Sequence, residues 1–419
     1  MSVEQSNITK EWELYMYLLR CAIRGEKTDP EVFGKYQDIE SKALRERASQ
    51  GGQMALLAAN INEFARFRGE EDIPPDRSLG TVVYEYEKYK CIRRVLSLAE
   101  RKGIPFILFK GCVLAGLYPA YIQRSSCDTD IFVYDSYRQQ AIDMLVEAGY
   151  VINEEHSKEQ VCVLTYSKFP HVIELHTCLW EDYQGKRLDI LESMDLTAKE
   201  KLITLETCGF QVTTLGHEEH LIYHLFHIIK HFSLEGIGVK YLADITLFVD
   251  AYGKYINFEQ FWDKLEQLDY ARFAHYLFAI CIEFLGMDSS ILKDRQMAMG
   301  DELYEFMLDL FNGGALGDEK KDSWQILGMM TPYFTGEKKA AKRKVTRKLA
   351  VIFPRVKDLQ DHYAYAKKCP ILLPVAWVHR VFSYLMKYQK KGDEWYSAGE
   401  KLDVAEHRID LMDKMGLLG

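Results

Sequence analysis

The most informative part of the sequence is FKGCVLAGLYPAYIQRSSCDTDIFV, residues 109–133. A short apolar run ends at Lys110-Gly111, a helical pattern follows, and Asp128-Thr-Asp130 opens a second strand. Because residues two apart in a strand share a face, the carboxylates of Asp128 and Asp130 lie close together on one face of the sheet. Hard divalent cations such as Mg²⁺ neutralise such a pair and keep coordination positions open for phosphate oxygens. The pattern therefore predicts a metal site.

A third acid lies in the strand-like segment 171–176, where Glu174 shares a face with His176. Three acids are enough to hold two Mg²⁺ ions, one activating an acceptor hydroxyl and the other neutralising a triphosphate. Lys110-Gly111 lies at a strand-to-helix turn, where free N–H groups and a glycine suit the close approach of a phosphate. Arg124 adds positive charge for the β- and γ-phosphates.

Other interpretations of these acids exist. An isolated Asp-x-Asp commonly marks a solvated turn, and Glu174 alone would be a surface residue of an edge strand. Metal-dependent glycosyltransferases also use Asp-x-Asp, but there the acids follow an apolar strand, whereas here they precede Ile131-Phe-Val133. The shared order and strand context of the residues favour phosphate chemistry.

Length and composition indicate an ordinary globular chain. Its 419 residues suggest two or three domains, and 48% hydrophobic with 27% charged residues is typical of folded proteins. With 53 basic and 62 acidic residues, the net charge of -9 argues against a generally basic nucleic-acid-binding surface.

The cysteines and the N-terminal region predict a cytoplasmic protein. The nine cysteines form no Cys-x-x-Cys pair and are odd in number, which indicates reduced, mostly buried thiols. The N-terminal residues lack the apolar segment of a signal peptide, and no stretch approaches the length needed to span a bilayer.

Hydrophobic periodicity divides the chain into three regions. Residues 1–80 read as helical and end in a candidate linker, 72–80. Residues 81–216 begin with a long helix, closed by Gly103, and continue with alternating short strands and helices. Residues 217–419 read as helical almost throughout. We expect an α+β fold, with a small mixed sheet between N-terminal and C-terminal helical lobes.

The sequence resembles the polymerase-β-type nucleotidyltransferase superfamily. Within this superfamily it resembles a bacterial branch that is poorly characterised. The motifs that carry the resemblance are Lys110-Gly111, Tyr118-Pro119, Arg124, Asp128-Thr-Asp130, Glu174-Leu-His176, Gly238–Asp244, Phe353-Pro354, Tyr363 and Leu372–Arg380. Three departures stand out. The usual Gly-Ser turn is Lys110-Gly111, Lys240 replaces a commoner arginine, and the third acid is Glu174 rather than aspartate.

The resemblance implies a reaction and a set of site residues. It implies attack of an acceptor oxygen on the α-phosphorus of an NTP such as ATP, with release of pyrophosphate. Asp128, Asp130 and Glu174 would be catalytic and hold two Mg²⁺ ions, with Mn²⁺ as an alternative. The nucleotide would contact Lys110, Gly111, Arg124, His176, Lys240 and Asp244. A non-catalytic nucleotide- or metal-binding module and the nucleotidyltransferase component of a toxin–antitoxin pair are the alternatives, and the acceptor is open among small molecules, proteins and RNA.

Several further patterns carry weaker predictions. The histidines 217, 220, 224, 227 and 231 share one helix face, which suits a wall of the cleft, an extra metal or partly buried imidazoles. Lys240 and Asp244, four residues apart, suggest a surface ion pair or a role in positioning substrate. The run 338–348 carries seven positive charges and favours a solvated helix face over RNA or an anionic membrane. The apolar segment 371–378 predicts a buried connection.

Overall fold

The structure is a computed structural model that describes residues 3–180, 186–234, 236–296, 300–313, 356, 363–379 and 407–418. The predictions for the basic run 338–348, for Phe353-Pro354 and for Arg380 lie outside these residues.

Helices form the N-terminal region, as the sequence predicts. They are α1 (Val3–Arg24), α2 (Pro30–Phe33), α3 (Ser41–Gln50), α4 (Met54–Arg68) and α5 (Pro75–Lys102). The predicted linker 72–80 is wrong over most of its length, because Pro75 takes the first helical position of α5, where a missing N–H does no harm. The predicted end of this helix is confirmed, since Gly103 follows it with a φ of 67°.

A five-stranded mixed sheet forms the centre of the fold. Its strands are β1 (Ile107–Leu108), β2 (Asp128–Phe132), β3 (Tyr150–Ile152), β4 (Val161–Tyr166) and β5 (Val172–His176), in the order β1-β2-β5-β4-β3. β2 and β5 are parallel, while the other neighbours are antiparallel. Two helices interrupt the strands, α6 (Gly111–Ala115) and α7 (Arg138–Glu147). The small mixed sheet and its helical flanks confirm the α+β fold.

One face of this sheet is packed and the other carries the acids. Ile131, Ile173 and Leu175 are buried in one apolar cluster with residues of α5 and α7, such as Val95 and Leu145. Because side chains alternate along a strand, the residues between them point to the opposite face. The sequence thus turns the charged positions of β2 and β5 to the face opposite this cluster.

A two-stranded hairpin, which the sequence analysis did not predict, follows helix α8 (Lys186–Ser193). It consists of β6 (Ile203–Thr207) and β7 (Phe210–Thr214), joined by Cys208-Gly209. Both turn residues have positive φ, 52° and 77°, as a type I′ hairpin turn requires.

The described C-terminal region is helical, as predicted. It contains α9 (His217–Leu234), α10 (Lys240–Tyr252), α11 (Phe258–Gln267), α12 (Ala271–Leu285), α13 (Asp301–Gly313) and α14 (Ala364–Lys368), with further helical residues at 373–379 and 407–414. The predicted burial of 371–378 is wrong, since Ile371 is 86% and Val378 69% exposed. Over the described ranges, every helix is too short or too polar to cross a bilayer.

Candidate active site

The register of β2 and β5 brings two acids together. Asp130 and Glu174 are direct partners in the parallel pair and therefore lie on the same face of the sheet. His176 lies two residues beyond Glu174, with its Nε2 3.1 Å from Asp130 Oδ1 and 3.6 Å from Glu174 Oε2. One ligand atom of each residue lies within 4.8 Å of the others. Asp128 shares this face at the start of β2 but is not a member of that cluster.

Lys110 covers the cluster from the turn after β1. Its Nζ lies 2.8 Å from Asp130 Oδ1, and its side chain is only 12% exposed. The backbone of Lys110 has a positive φ, 56°. That conformation is strained for a residue with a Cβ. His220 of α9 contributes to holding it, since His220 Nε2 accepts the Lys110 N–H at 3.1 Å.

Charge in this cluster is balanced by these contacts. Burial favours the neutral form of Asp130, but Lys110 and His176 outweigh burial and hold the pKa of Asp130 below its ordinary value. Burial opposes a charge on His176, but its contacts with Asp130 and Glu174 prevail and raise its pKa to about 9. Burial and the charge of Asp130 raise the pKa of Asp128. Asp130 is thus an anion neutralised by two cations.

Arg124 and Asp244 form a buried two-pronged ion pair. Arg124 Nε and Nη2 donate to Asp244 Oδ1 and Oδ2 at 2.7 and 2.8 Å, and the Tyr118 hydroxyl donates to Oδ1 at 2.8 Å. Asp244 is completely buried and Arg124 is 5% exposed. Burial raises the pKa of Asp244, but the charge of Arg124 prevails and lowers it. Of the two alternatives for Lys240 and Asp244, the surface ion pair is therefore wrong, because Asp244 is buried against Arg124.

The short segment 124–127, which leads into β2, is held by two lysines. Lys240 Nζ donates to the Ser125 carbonyl at 3.3 Å. Lys88 of α5 donates to Ser126 O and Oγ at 3.0 and 2.6 Å, and its Nζ lies 2.5 Å from a carboxylate oxygen of Glu85. Lys88 and Glu85 are both buried. Sequence reasoning missed this pair, since charges three residues apart usually mark a solvated helix face.

The histidines of α9 separate into different environments. His217 stacks on Tyr252 and Tyr255, with ring centroids 4.3 and 5.0 Å apart. His224 is buried, and burial lowers its pKa to about 4. His227 and His231 share a hydrogen bond between their Nε2 atoms at 3.0 Å. In the part of the chain that the structure describes, no histidine of this helix belongs to a three-residue metal cluster.

Comparisons with known proteins agree with this chemistry. A family described as uncharacterised nucleotidyltransferase matches residues 80–286, just under half of the chain. The matched region contains β1–β7, α9 and α10, and hence every residue of the sites described above. The class that fold and site define is the nucleotidyltransferases, which are enzymes. Within that class, residues 80–286 are similar to this uncharacterised family.

Two solved structures of the antibiotic-resistance factor ANT(2'')-Ia are also similar. The solution structure covers 43% of this chain and 89% of its own, with 11% identity and a TM-score of 0.32. The crystal structure, in complex with adenylyl-2''-tobramycin, covers 42% and 92%, with 11% identity and a TM-score of 0.31. Likeness at this level assigns no substrate to the present chain. No curated protein sequence matches it.

Proposed function

We propose that this chain transfers a nucleoside monophosphate from an NTP to an acceptor hydroxyl or phosphate and releases pyrophosphate. The observation that carries the proposal is the pairing of Asp130 with Glu174 across β2 and β5, with the Lys110 ammonium 2.8 Å from Asp130. This arrangement combines carboxylates for divalent cations with a positive charge for phosphate oxygens on one face of a sheet.

The donor set fits Mg²⁺. Asp130 and Glu174 are paired across β2 and β5 and present carboxylate oxygens, the ligands that Mg²⁺ prefers, and Glu174 is 34% exposed. Asp128, Asp130 and Glu174 would hold two such ions. Bound there, Mg²⁺ would supply Lewis-acid activation of the acceptor oxygen and neutralise phosphate charge.

Lysines provide the remaining positive charge near the acids. Lys110 is the best placed, because its ammonium already reaches the acidic cluster from a turn whose backbone continues into α6. Lys240, the Gly111 N–H group and His176 complete the proposed nucleotide contacts. Direct contact of Arg124 and Asp244 with the nucleotide remains a prediction. The ion pair that they form supports a positioning role for both residues, since each side chain engages the other.

We also propose the three-part organisation into 1–80, 81–216 and 217–419, with α5 crossing the first boundary and the cleft between the acidic face and the C-terminal helices. The contact of His220 with Lys110 supports this placement, because α9 then lies beside the Lys110 turn. A cytoplasmic location is part of the same proposal.

Replacement of the acids tests the proposal. Asp130→Asn and Asp128→Asn should each reduce NTP-dependent pyrophosphate release to background while the circular dichroism spectrum stays unchanged. The matched control is Asp135→Asn, which removes an exposed carboxylate shortly after β2 and should keep full activity. Undiminished transfer in the Asp130 variant would refute the assignment of the site.

A second experiment separates an enzyme from a nucleotide sensor and searches for the acceptor. Thermal stabilisation by an NTP with Mg²⁺, but without pyrophosphate release in any extract, would support the sensor. Incubation with α-³²P-labelled NTPs and cell extract should instead label an acceptor. A labelled protein or RNA would favour the toxin–antitoxin alternative, and a labelled small molecule would favour metabolite or antibiotic modification.

A further inference from the structure

The imidazole of His176 occupies a position that the three-acid description of the site does not use. Its Nε2 lies 3.1 Å from Asp130 Oδ1 and 3.6 Å from Glu174 Oε2. Neighbouring ligands of an octahedral ion with bonds of 2.0–2.1 Å are about 3 Å apart. In a tetrahedral site the separation is about 3.4 Å. The two His176 separations are therefore close to the spacing of ligands around one ion, and one ligand atom of each of the three residues lies within 4.8 Å of the others.

The fold holds this ring in place. His176 ends β5 on the same face as Glu174, and it is only 3% exposed. Its ring packs edge-on against Phe109, with centroids 5.6 Å apart, so that Nε2 lies beside the carboxylates. An imidazole fixed in this way loses little conformational entropy when it becomes a ligand.

The contacts of Asp130 point to a cation at the same place. Its Oδ1 atom lies against both Lys110 Nζ, at 2.8 Å, and His176 Nε2, at 3.1 Å. A buried carboxylate needs such neutralisation. A divalent ion bonded to Oδ1 would supply it instead, and the Nε2 proton of His176 would be released to solvent so that the nitrogen lone pair can bind the ion.

The donor types decide which ions suit the position. Two carboxylates alone would suit Mg²⁺, which takes oxygen ligands almost exclusively. An imidazole nitrogen beside them suits first-row transition ions such as Mn²⁺, Fe²⁺, Co²⁺ or Zn²⁺.

We propose that His176 is a metal ligand together with Asp130 and Glu174, and that this mixed nitrogen and oxygen set prefers a transition-metal dication, probed here as Mn²⁺, over Mg²⁺. The inference rests on the proposed function, because it refines the metal site on which that function depends. It replaces an all-oxygen description of one of the two ion positions.

The test is pulsed electron paramagnetic resonance of Mn²⁺ bound to the full chain. Wild type should show modulation from a coordinated ¹⁴N nucleus, and growth with ¹⁵N-histidine should convert it to a ¹⁵N pattern. His176→Gln should lose the nitrogen modulation, and its Mn²⁺ preference over Mg²⁺ in competition titrations should fall. The control His156→Gln, at an exposed histidine before β4, should retain both.

The possible outcomes distinguish failure of the His176 assignment from failure of the proposed nucleotidyl transfer. Mn²⁺ that binds wild type without nitrogen modulation would overturn the His176 assignment and leave the three-acid site intact, whether or not the variant folds. Nitrogen modulation that persists in His176→Gln would also overturn it. Mn²⁺ binding that is absent, or unchanged in Asp130→Asn, would refute the metal site and the proposed function together.

Discussion

Breaking the buried ion pair between Arg124 and Asp244 should destabilise the protein strongly. Asp244→Leu removes two charge-assisted hydrogen bonds from the guanidinium, at 2.7 and 2.8 Å, and leaves its charge buried without the carboxylate opposite it. At about 1.5–3 kcal/mol for each such bond, the expected loss is about 3–6 kcal/mol of unfolding free energy. Arg124→Met should cost a similar amount, since Asp244 is then the unpaired charge.

The double variant Arg124→Met/Asp244→Leu should recover most of this loss. Only the Tyr118 hydroxyl then lacks its carboxylate acceptor, which costs about 1–3 kcal/mol. The double variant should therefore lose several kcal/mol less than the sum of the two single variants.

Urea denaturation followed by tryptophan fluorescence measures all four proteins. The matched control is the exposed pair Lys10–Asp38, which has the same 2.7 Å separation but side chains 41% and 45% exposed. The double-mutant cycle of this exposed pair should give a coupling free energy of less than about 1 kcal/mol. If the Arg124 and Asp244 losses were small or simply additive, burial would not strengthen this interaction and the reasoning would fail.

Two further predictions concern stability. His171 is fully buried between Thr129 and Tyr150, and burial lowers its pKa from 6.5 to about 3. Between pH 6.5 and about 3, His171 is protonated in the unfolded chain but neutral in the folded protein, so acid favours unfolding. His171 therefore leaves the unfolding free energy independent of pH above pH 6.5 and lowers it by roughly 1.4 kcal/mol per pH unit between pH 6.5 and about 3. The difference in unfolding free energy between wild type and His171→Gln should shrink with acidification, and a constant difference would contradict the assignment. Gly52→Ala should destabilise by about 1–2 kcal/mol in the same urea assay, because its φ is 64° and an added Cβ would lie 2.6 Å from Ser125 Oγ. Gly34→Ala, where a Cβ meets nothing within 4 Å, should be close to neutral, and equal losses at both positions would refute the steric explanation.

Local patterns were sufficient for the central strands. The strand-like segment 171–176 contains β5, since an apolar strand-forming run is delimited there by turn residues. The β6–β7 hairpin was not predicted because its turn is Cys208-Gly209, whereas Asn or Asp ordinarily occupies the first position of a type I′ turn. The start of α5 was placed too late because the prolines of the predicted linker were interpreted as a break, although one of them begins the helix.

The parts of the candidate site that depend on residues close in sequence could be predicted. The contacts between residues far apart in sequence could not. Strand periodicity placed Asp128, Asp130 and Glu174 on one face, which the register of β2 and β5 reproduces. The pairing of Arg124 with Asp244 joins residues 120 positions apart, and no spacing rule specifies it. The strain at Lys110 likewise depends on packing against α9, which the turn sequence alone does not reveal.

The segment leading into β2 has a consequence for any attempt to reduce this protein to its sheet. Gly52 accepts a hydrogen bond from Ser125, Lys88 holds Ser126 from α5, and α10 supplies the carboxylate opposite Arg124. A fragment of residues 81–216 would lack Asp244 and would leave the Arg124 guanidinium without its carboxylate. It would also loosen the segment that leads to Asp128 and Asp130. The acidic face therefore depends on segments from outside residues 81–216, and transferring it to another protein would require those segments as well.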